Sequence, residues 1–269
     1  MRLVRYLTIL IAISTFLFIS CSTVPITGRR QLSLIPESQM LSMSFSQYDQ
    51  FLKENKESND PQKVATVKRV GERIASAVET YLRNHGMADE VKNYKWEFHL
   101  IESNEVNAWC MPGGKVVVYT GIFPIAKDDN GLAVVLGHEI SHAVAKHGDE
   151  RMSQALVAQL GGIALQEALK NKPQETQQIF LAAYGVGAQV GVLLPFSRTQ
   201  ESEADHLGLI FMAMAGYDPH GAITFWERMM NLNTGSKPPE FLSDHPADQT
   251  RINDIKAEIP EAMKYYSQR

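Results

Sequence analysis

The chain has almost no cysteine. Of its 269 residues only Cys21 and Cys110 carry a thiol, so the fold must stand on its hydrophobic core rather than on a disulfide framework. It also lacks any block of lysine and arginine or basic patch interleaved with aromatics, which argues against a nucleic-acid partner. No internal repeat or low-complexity tract is evident. Long apolar runs are missing too: residues 155–169 and 179–196 fall short of the roughly 20 apolar residues of a membrane-spanning helix and contain glutamines. Both read as buried core helices. The second, with glycines at 185, 187 and 191, has a membrane-dipping or cleft-covering segment as its alternative.

What is present is concentrated at His138-Glu139-Ile140-Ser141-His142. Four residues of helix bring both imidazoles onto one face, where they can share one Zn²⁺, and Glu139 beside the first can act as general base toward water at the metal. A surface helix could carry such residues by coincidence. Leu132, Val135, Leu136, Ile140, Ala143 and Val144 argue otherwise, because they form an apolar stripe at helical spacing. Polar groups buried there unpaired would cost roughly 1–3 kcal/mol each, and a metal removes that cost.

A catalytic zinc needs a third protein ligand. The HExxHxxGxxH pattern is excluded, since Ala145 and Gly148 stand where glycine and histidine are required. His147 reads instead as a last-turn helix residue facing the dipole, with Gly148 just beyond the helix end. The remaining candidate lies in Glu201-Ser202-Glu203-Ala204-Asp205, where Glu201 and Asp205 fall four residues apart on a second helix. One carboxylate can bind the metal while the other orients a ligand imidazole, and small Ala204 lets the helices approach.

His138-Glu139-x-x-His142 followed by Glu201-x-x-Ala204-Asp205 resembles the gluzincin endopeptidases that include the CAAX prenyl proteases, HtpX and the Oma-type proteases. Within them it looks most like the periplasmic BepA- and LoiP-like lipoprotein metalloproteases. The resemblance extends upstream over 107–121 and downstream to Ser243-Asp244-His245-Pro246 and Arg251, about residues 24–255 in all. It implies that His138, His142 and Glu201 bind one zinc, that Glu139 is the catalytic base and that Asp205 orients a histidine ligand. It also implies a role for His245 near the metal, either polarising the scissile carbonyl or capping the ion. Arg251 then stabilises the same oxyanion or pairs with Asp205. Asn107 and Ala108 become substrate contacts on an active-site edge strand. Residues 115–120, β-branched and bounded by glycines, are a strand on their own evidence.

The N-terminus points to the cell envelope. Arg2 and Arg5 precede an apolar run over 7–19 that ends at Ser20-Cys21. This resembles a bacterial lipoprotein signal (residues 1–20), with Cys21 as the lipidated first residue of the mature chain and an ordinary signal peptide or retained anchor as the alternative. Ser22 lacks an aspartate retention signal and favours the outer membrane. Loss of Arg2 and Arg5 takes the balance from 26 basic against 30 acidic residues to 24 against 30, a mildly acidic chain. Cys110 is then a lone thiol, read as a small buried hydrophobe.

Residues 21–36 read as a lipidated tether, irregular at first, that becomes structured, and 37–269 as one metallopeptidase domain. Asp60-Pro61 opens a long helix that Gly86 ends, and Trp96, Phe98 and Leu100 alternate in a strand over 94–102. The order argues for an α+β, mainly helical zincin fold with a small β-sheet, whose edge strand, by the resemblance, lines the active site. The sequence after residue 254 has room for one helix and a tail, not for the helical-repeat domain of BepA-type relatives. Substrates are expected to be unfolded or misfolded envelope proteins, with membrane contact through the lipid, and with an adaptor or the outer-membrane assembly machinery as a further partner. A chaperone-like assembly factor is the competing reading.

Overall fold

A computed structural model describes residues 21–189, 194–232 and 239–267. The expected leader over 1–20 and positions 190–193 of the second apolar stretch lie outside these described residues. In chain order the elements are β1 (Cys21–Thr23), β2 (Arg30–Leu32), α1 (Glu37–Glu54), α2 (Pro61–Asn84), α3 (Ala88–Val91), β3 (Glu97–Ile101), β4 (Ala108–Met111) and β5 (Lys115–Tyr119). After a 3-10 turn come α4 (Phe123–Ala126), α5 (Asp129–Val144), α6 (His147–Leu169), α7 (Gln174–Ala188), α8 (Leu194–Met214), α9 (Gly221–Leu232), α10 (Glu240–Asp244) and α11 (Gln249–Ala262). The architecture is α+β and mainly helical, as expected. It divides into two compact units, one of residues up to Met40 with Lys146–Arg198, the other of Leu41–Ala145 with Thr199–Arg269.

In the larger unit the Asp60 carboxylate caps α2 by accepting from the Gln62 and Lys63 N–H groups. Beyond the helix end, Gly86 takes φ +76°. The sheet runs β3-β5-β4, with β3 parallel and β4 antiparallel to the central strand. Central β5 buries Val116, Val117 and Val118. The strand expected over 94–102 is shorter, because Tyr94 turns back to donate its N–H to the Val91 carbonyl. β4 is an outer strand and packs beside α5.

Asp128 caps α5 through the Gly131 N–H at 2.8 Å, and from Gly131 to Val144 every residue is buried. The helix is thus sheltered on all sides, not along one stripe. Its end differs from the expectation: Lys146, at φ 57°, takes the left-handed position, and His147 and Gly148 open α6. Asp149 and Glu150 explain this, since carboxylates in a first turn favour a helix start, and His147 is fully buried there.

In the smaller unit the chain over 21–32 forms an antiparallel ribbon, with Cys21 opposite Leu32. The ribbon is tied to α6: Arg29 donates to both Glu150 oxygens at 2.8 Å, Ser33 Oγ to Asp149 at 2.6 Å, and the Leu34 N–H to Ser153 Oγ at 2.9 Å. Helices α6 and α7 pack together, with Tyr184 Oη donating to the Ala158 carbonyl. They are not the buried core helices expected over 155–169 and 179–196. α7 buries none of its residues, and Leu160, Ile163, Ile179, Phe180 and Val186 are each more than half exposed. Both sequences are apolar around most of the helix, whereas a two-helix seam covers one face. Among the described residues no helix is long and apolar enough to cross a membrane.

Candidate metal centre

Two helices of the larger unit bring the site together. Where α5 crosses α8 the backbones nearly touch: a Cβ on Gly137 would lie 2.9 Å from the Gly208 carbonyl oxygen, and one on Gly208 would lie 3.0 Å from the His138 nitrogen. Ala204, the small residue noticed in the sequence, is fully buried, but this glycine pair sets the approach. His138 and His142 project from α5, and Glu201 and Asp205 from α8. His245, just past α10, and Arg251, in α11, complete the cluster.

The ligating atoms converge. His138 Nε2 lies 3.1 Å from His142 Nε2 and 3.3 Å from Glu201 Oε2, while His142 Nε2 is 3.3 Å from Glu201 Oε1. His245 Nδ1 joins them at 2.7 Å from Glu201 Oε2 and 3.1 Å from His138 Nε2. All four ligand atoms lie within 4.8 Å of one another. Glu139 is beside them, its Oε1 3.4 Å from His245 Nε2.

Of the two carboxylates, Asp205 lies behind His138 and outside the converging atoms. It accepts from His138 Nδ1 at 2.9 Å and from Arg251 Nε and Nη2 at 2.7 Å each. A proton on Nδ1 leaves the lone pair of His138 on Nε2, which faces the cluster. Several lone pairs and a carboxylate aimed at one buried point repel each other unless a proton or cation sits between them, so the donor set fits a divalent metal. Nitrogen and oxygen ligands of this kind suit zinc.

The electrostatics follow from this crowding. Burial opposes an imidazolium at His138, yet hydrogen bonds and charge from Asp205 and Glu201 outweigh it and raise the group from 6.5 to about 9. Burial likewise opposes charge on Glu201, but hydrogen bonds from the three histidines hold its carboxyl well below the usual range. Asp205 is lowered against burial by the Arg251 charge and by His138.

Of the predicted substrate contacts, Ala108 opens β4 and Asn107 immediately precedes it. Asn107 and Ala108 are buried, and the Asn107 carboxamide oxygen accepts the Ala108 N–H at 2.8 Å. The Asn107 carbonyl is taken by the Tyr119 N–H, so alternation directs the peptide groups of Ala108 and Cys110 to the outer edge. Burial, reinforced by the charge of Glu139, pushes the Cys110 thiol well above its usual range, which leaves it un-ionised. Sequence reasoning missed Trp226 of α9. Arg251 lies over its ring at 3.4 Å, and its centroid is 5.9 Å from that of His138. A tryptophan on an amphipathic helix with no motif around it gave no signal.

An HExxH helix, a carboxylate on a second helix and an outer strand beside the first define a metalloendopeptidase. The chain belongs to peptidase family M48, whose profile matches residues 61–259. It is 35% identical over 253 residues to the mitochondrial metalloendopeptidase OMA1 of Schizosaccharomyces pombe, covering 92% of this chain and 69% of that protein. Identity is 30% over 256 residues to the Homo sapiens mitochondrial metalloendopeptidase OMA1, covering 93% and 48%. It is 29% over 249 residues to the beta-barrel assembly-enhancing protease of Escherichia coli, covering 88% and 47%. The chain spans about half the length of these last two relatives.

Proposed function

We propose that this protein is a zinc-dependent endopeptidase of the bacterial cell envelope, anchored through lipid on Cys21 and facing the periplasm from the outer membrane, that cuts extended or misfolded envelope proteins. The observation that carries the peptidase reading is the convergence of His138, His142 and Glu201 on one point with Glu139 alongside. Those three residues would hold a single Zn²⁺, which when bound supplies Lewis acidity to water and to the scissile carbonyl. The envelope reading rests on the N-terminal sequence and on the kinship with a protease named for β-barrel assembly.

An extended substrate segment would pair with the outer edge of β4 through the Ala108 carbonyl and the Cys110 peptide groups, since the Ala108 N–H is already taken by the Asn107 side chain. Such backbone pairing gives affinity with little demand on sequence. Glu139 takes a proton from the attacking water as its oxygen bonds to the carbonyl carbon, then delivers that proton to the amine nitrogen as the C–N bond breaks. Arg251 gives Nε and Nη2 to Asp205, while its Nη1 donates to the Pro246 carbonyl at 3.0 Å and lies 3.4 Å from Glu201 Oε2, so it acts by positioning His138 and Glu201.

A second reading is favoured by His245. Its imidazole already stands among the ligand atoms and against Glu139, which suits a resting form whose fourth metal position is capped and whose cleft serves assembly more than cleavage. The deciding experiment measures zinc content and casein cleavage by the anchored full chain and by Glu139→Gln. One zinc in both, with cleavage by wild type alone, supports the endopeptidase. Cleavage retained by the variant would remove Glu139 as base, and zinc without cleavage in either would favour the capped form.

A further inference from the structure

Among the described residues, ten large hydrophobic side chains are exposed, and eight of them lie on α6 and α7: Met152, Leu156, Val157, Leu160, Ile163, Ile179, Phe180 and Val186. Apolar surface gathered on one helical pair is unusual for a face left to water. The charge pattern sharpens the point. Residues 152–166 and 176–189 contain no charged residue, whereas Glu167, Lys170, Lys172 and Glu175 cluster where the two helices join. A charged tip opposes end-on insertion, and neither helix is long and apolar enough to cross a bilayer. What remains is a surface suited to lie in the plane of a membrane interface.

The other end of this hairpin says which interface it meets. The apolar run over 7–19 enters the described chain at Cys21, in β1. β1 pairs with β2, and the ribbon is bound to the first turns of α6 through Arg29–Glu150, Ser33–Asp149 and Leu34–Ser153. Whether that run is cleaved and replaced by lipid or retained as an anchor, residue 21 stays within a few residues of the bilayer, and the ribbon holds the base of the hairpin there. At this base a cavity of about 550 Å³, lined by Leu32, Val157, Ala158 and Tyr184, lies between β2 and the two helices, with exposed Arg30 on its wall and Glu150, the one acid there, neutralised by Arg29. An apolar slot beside a cation suits an acyl chain below its phosphate headgroup.

We infer that the exposed face of α6 and α7 is a membrane-contact surface that lies on the lipid bilayer beside the anchor, so that the smaller unit is held to the membrane by a face as well as by a tether. This deepens the proposed envelope function and rests on its anchoring at residue 21. A second copy of the chain could cover the same face, but nothing ties a second copy to this end of the unit, whereas the anchor ties the bilayer to it.

The test uses the full anchored chain with Cys110→Ala, carrying Ile163→Cys or Phe180→Cys labelled with an environment-sensitive fluorophore, in vesicles of phosphatidylethanolamine and phosphatidylglycerol. Lys92→Cys, on the exposed surface of the larger unit, is the control. Spin-labelled acyl chains in the bilayer are expected to at least halve the emission at 163 and 180 and to leave that at 92 almost unchanged. Co-flotation with the vesicles reports the anchor separately. Flotation with unquenched, water-exposed probes would overturn the surface while the anchor stands. Emission that shifts with protein concentration and not with spin label would assign the face to a second copy and also overturn it. Failure to float would overturn both.

Discussion

Arg251 grips Asp205 with two hydrogen bonds of 2.7 Å, from Nε to Oδ2 and from Nη2 to Oδ1, inside a site where both side chains are buried. A forked ion pair of this kind fixes direction as well as distance. It aims the other lone pairs of Asp205 at His138 Nδ1, and the indole of Trp226 beneath the guanidinium holds the pair in place. Orientation of His138 thus reaches back through three residues from three helices.

Lysine at position 251 keeps the charge but cannot fork. Arg251→Lys is expected to fold and to lose about 10–100-fold in zinc affinity, the usual cost of disturbing the partner of a metal-bound histidine. Arg251→Ala leaves a buried carboxylate short of its counter-ion and should destabilise the metal-free protein by about 3–5 kcal/mol. Chelator competition and denaturant melts separate the two effects. Unchanged zinc affinity in Arg251→Lys would mean that charge alone suffices.

Much of this centre is legible in the sequence because its chemistry is local: the spacing of His138 and His142, and of Glu201 and Asp205, is one helical turn in each case. The long helix from Pro61 and the strand at 115 carry equally local signals in a capping aspartate and a β-branched run. What escapes depends on contacts between distant segments. Trp226 has no motif, and the glycine pair at 137 and 208 becomes meaningful only once the helices cross. The exposure of Ile163 and Phe180 follows from how few layers cover α6 and α7, and hydropathy cannot count layers. His147 misled because a glycine after a histidine resembles a helix end, while the acidic pair that follows marks a start.

The metal-free protein should show a distinctive pH dependence. The His138 imidazolium, raised from 6.5 to about 9, contributes stability that is fully present below 6.5 and is lost as pH rises through 9. Glu201 and Asp205 are lowered, so their contribution is present above about pH 4 and is lost as pH falls below it. Zinc competes with the proton on His138, so the rise in Tm on adding zinc should grow between pH 6.5 and 9. Melting curves with chelator and with zinc across that range test this. A zinc-induced rise independent of pH would show that His138 is already neutral.

Gly208→Ala tests whether the close crossing sets the site. The new methyl would stand 3.0 Å from the Gly137 carbonyl carbon and the His138 nitrogen, backbone atoms that cannot swing aside. Overpacking of this kind costs about 1–3 kcal/mol, and pushing α5 from α8 also separates His138 from Glu201 and Asp205. Both Tm and zinc affinity should fall. A loss of Tm with unchanged zinc affinity would place the geometric control elsewhere.

His245→Ala bears on how the enzyme rests. Its Nδ1 lies 2.7 Å from Glu201 and 3.1 Å from His138 Nε2, and its Nε2 faces Glu139 at 3.4 Å, so the ring occupies the space that water and a scissile carbonyl would need. A ligand set of His138, His142 and Glu201 satisfies a catalytic zinc with one position left open, and a fourth protein ligand closes it. Removing the imidazole is therefore expected to leave zinc stoichiometry at one and to raise casein cleavage several-fold, with the double variant Glu139→Gln/His245→Ala inactive. Zinc analysis beside initial cleavage rates distinguishes the cases. A fall in rate with zinc retained would mean that His245 serves the reaction itself, holding the oxyanion instead of the resting state.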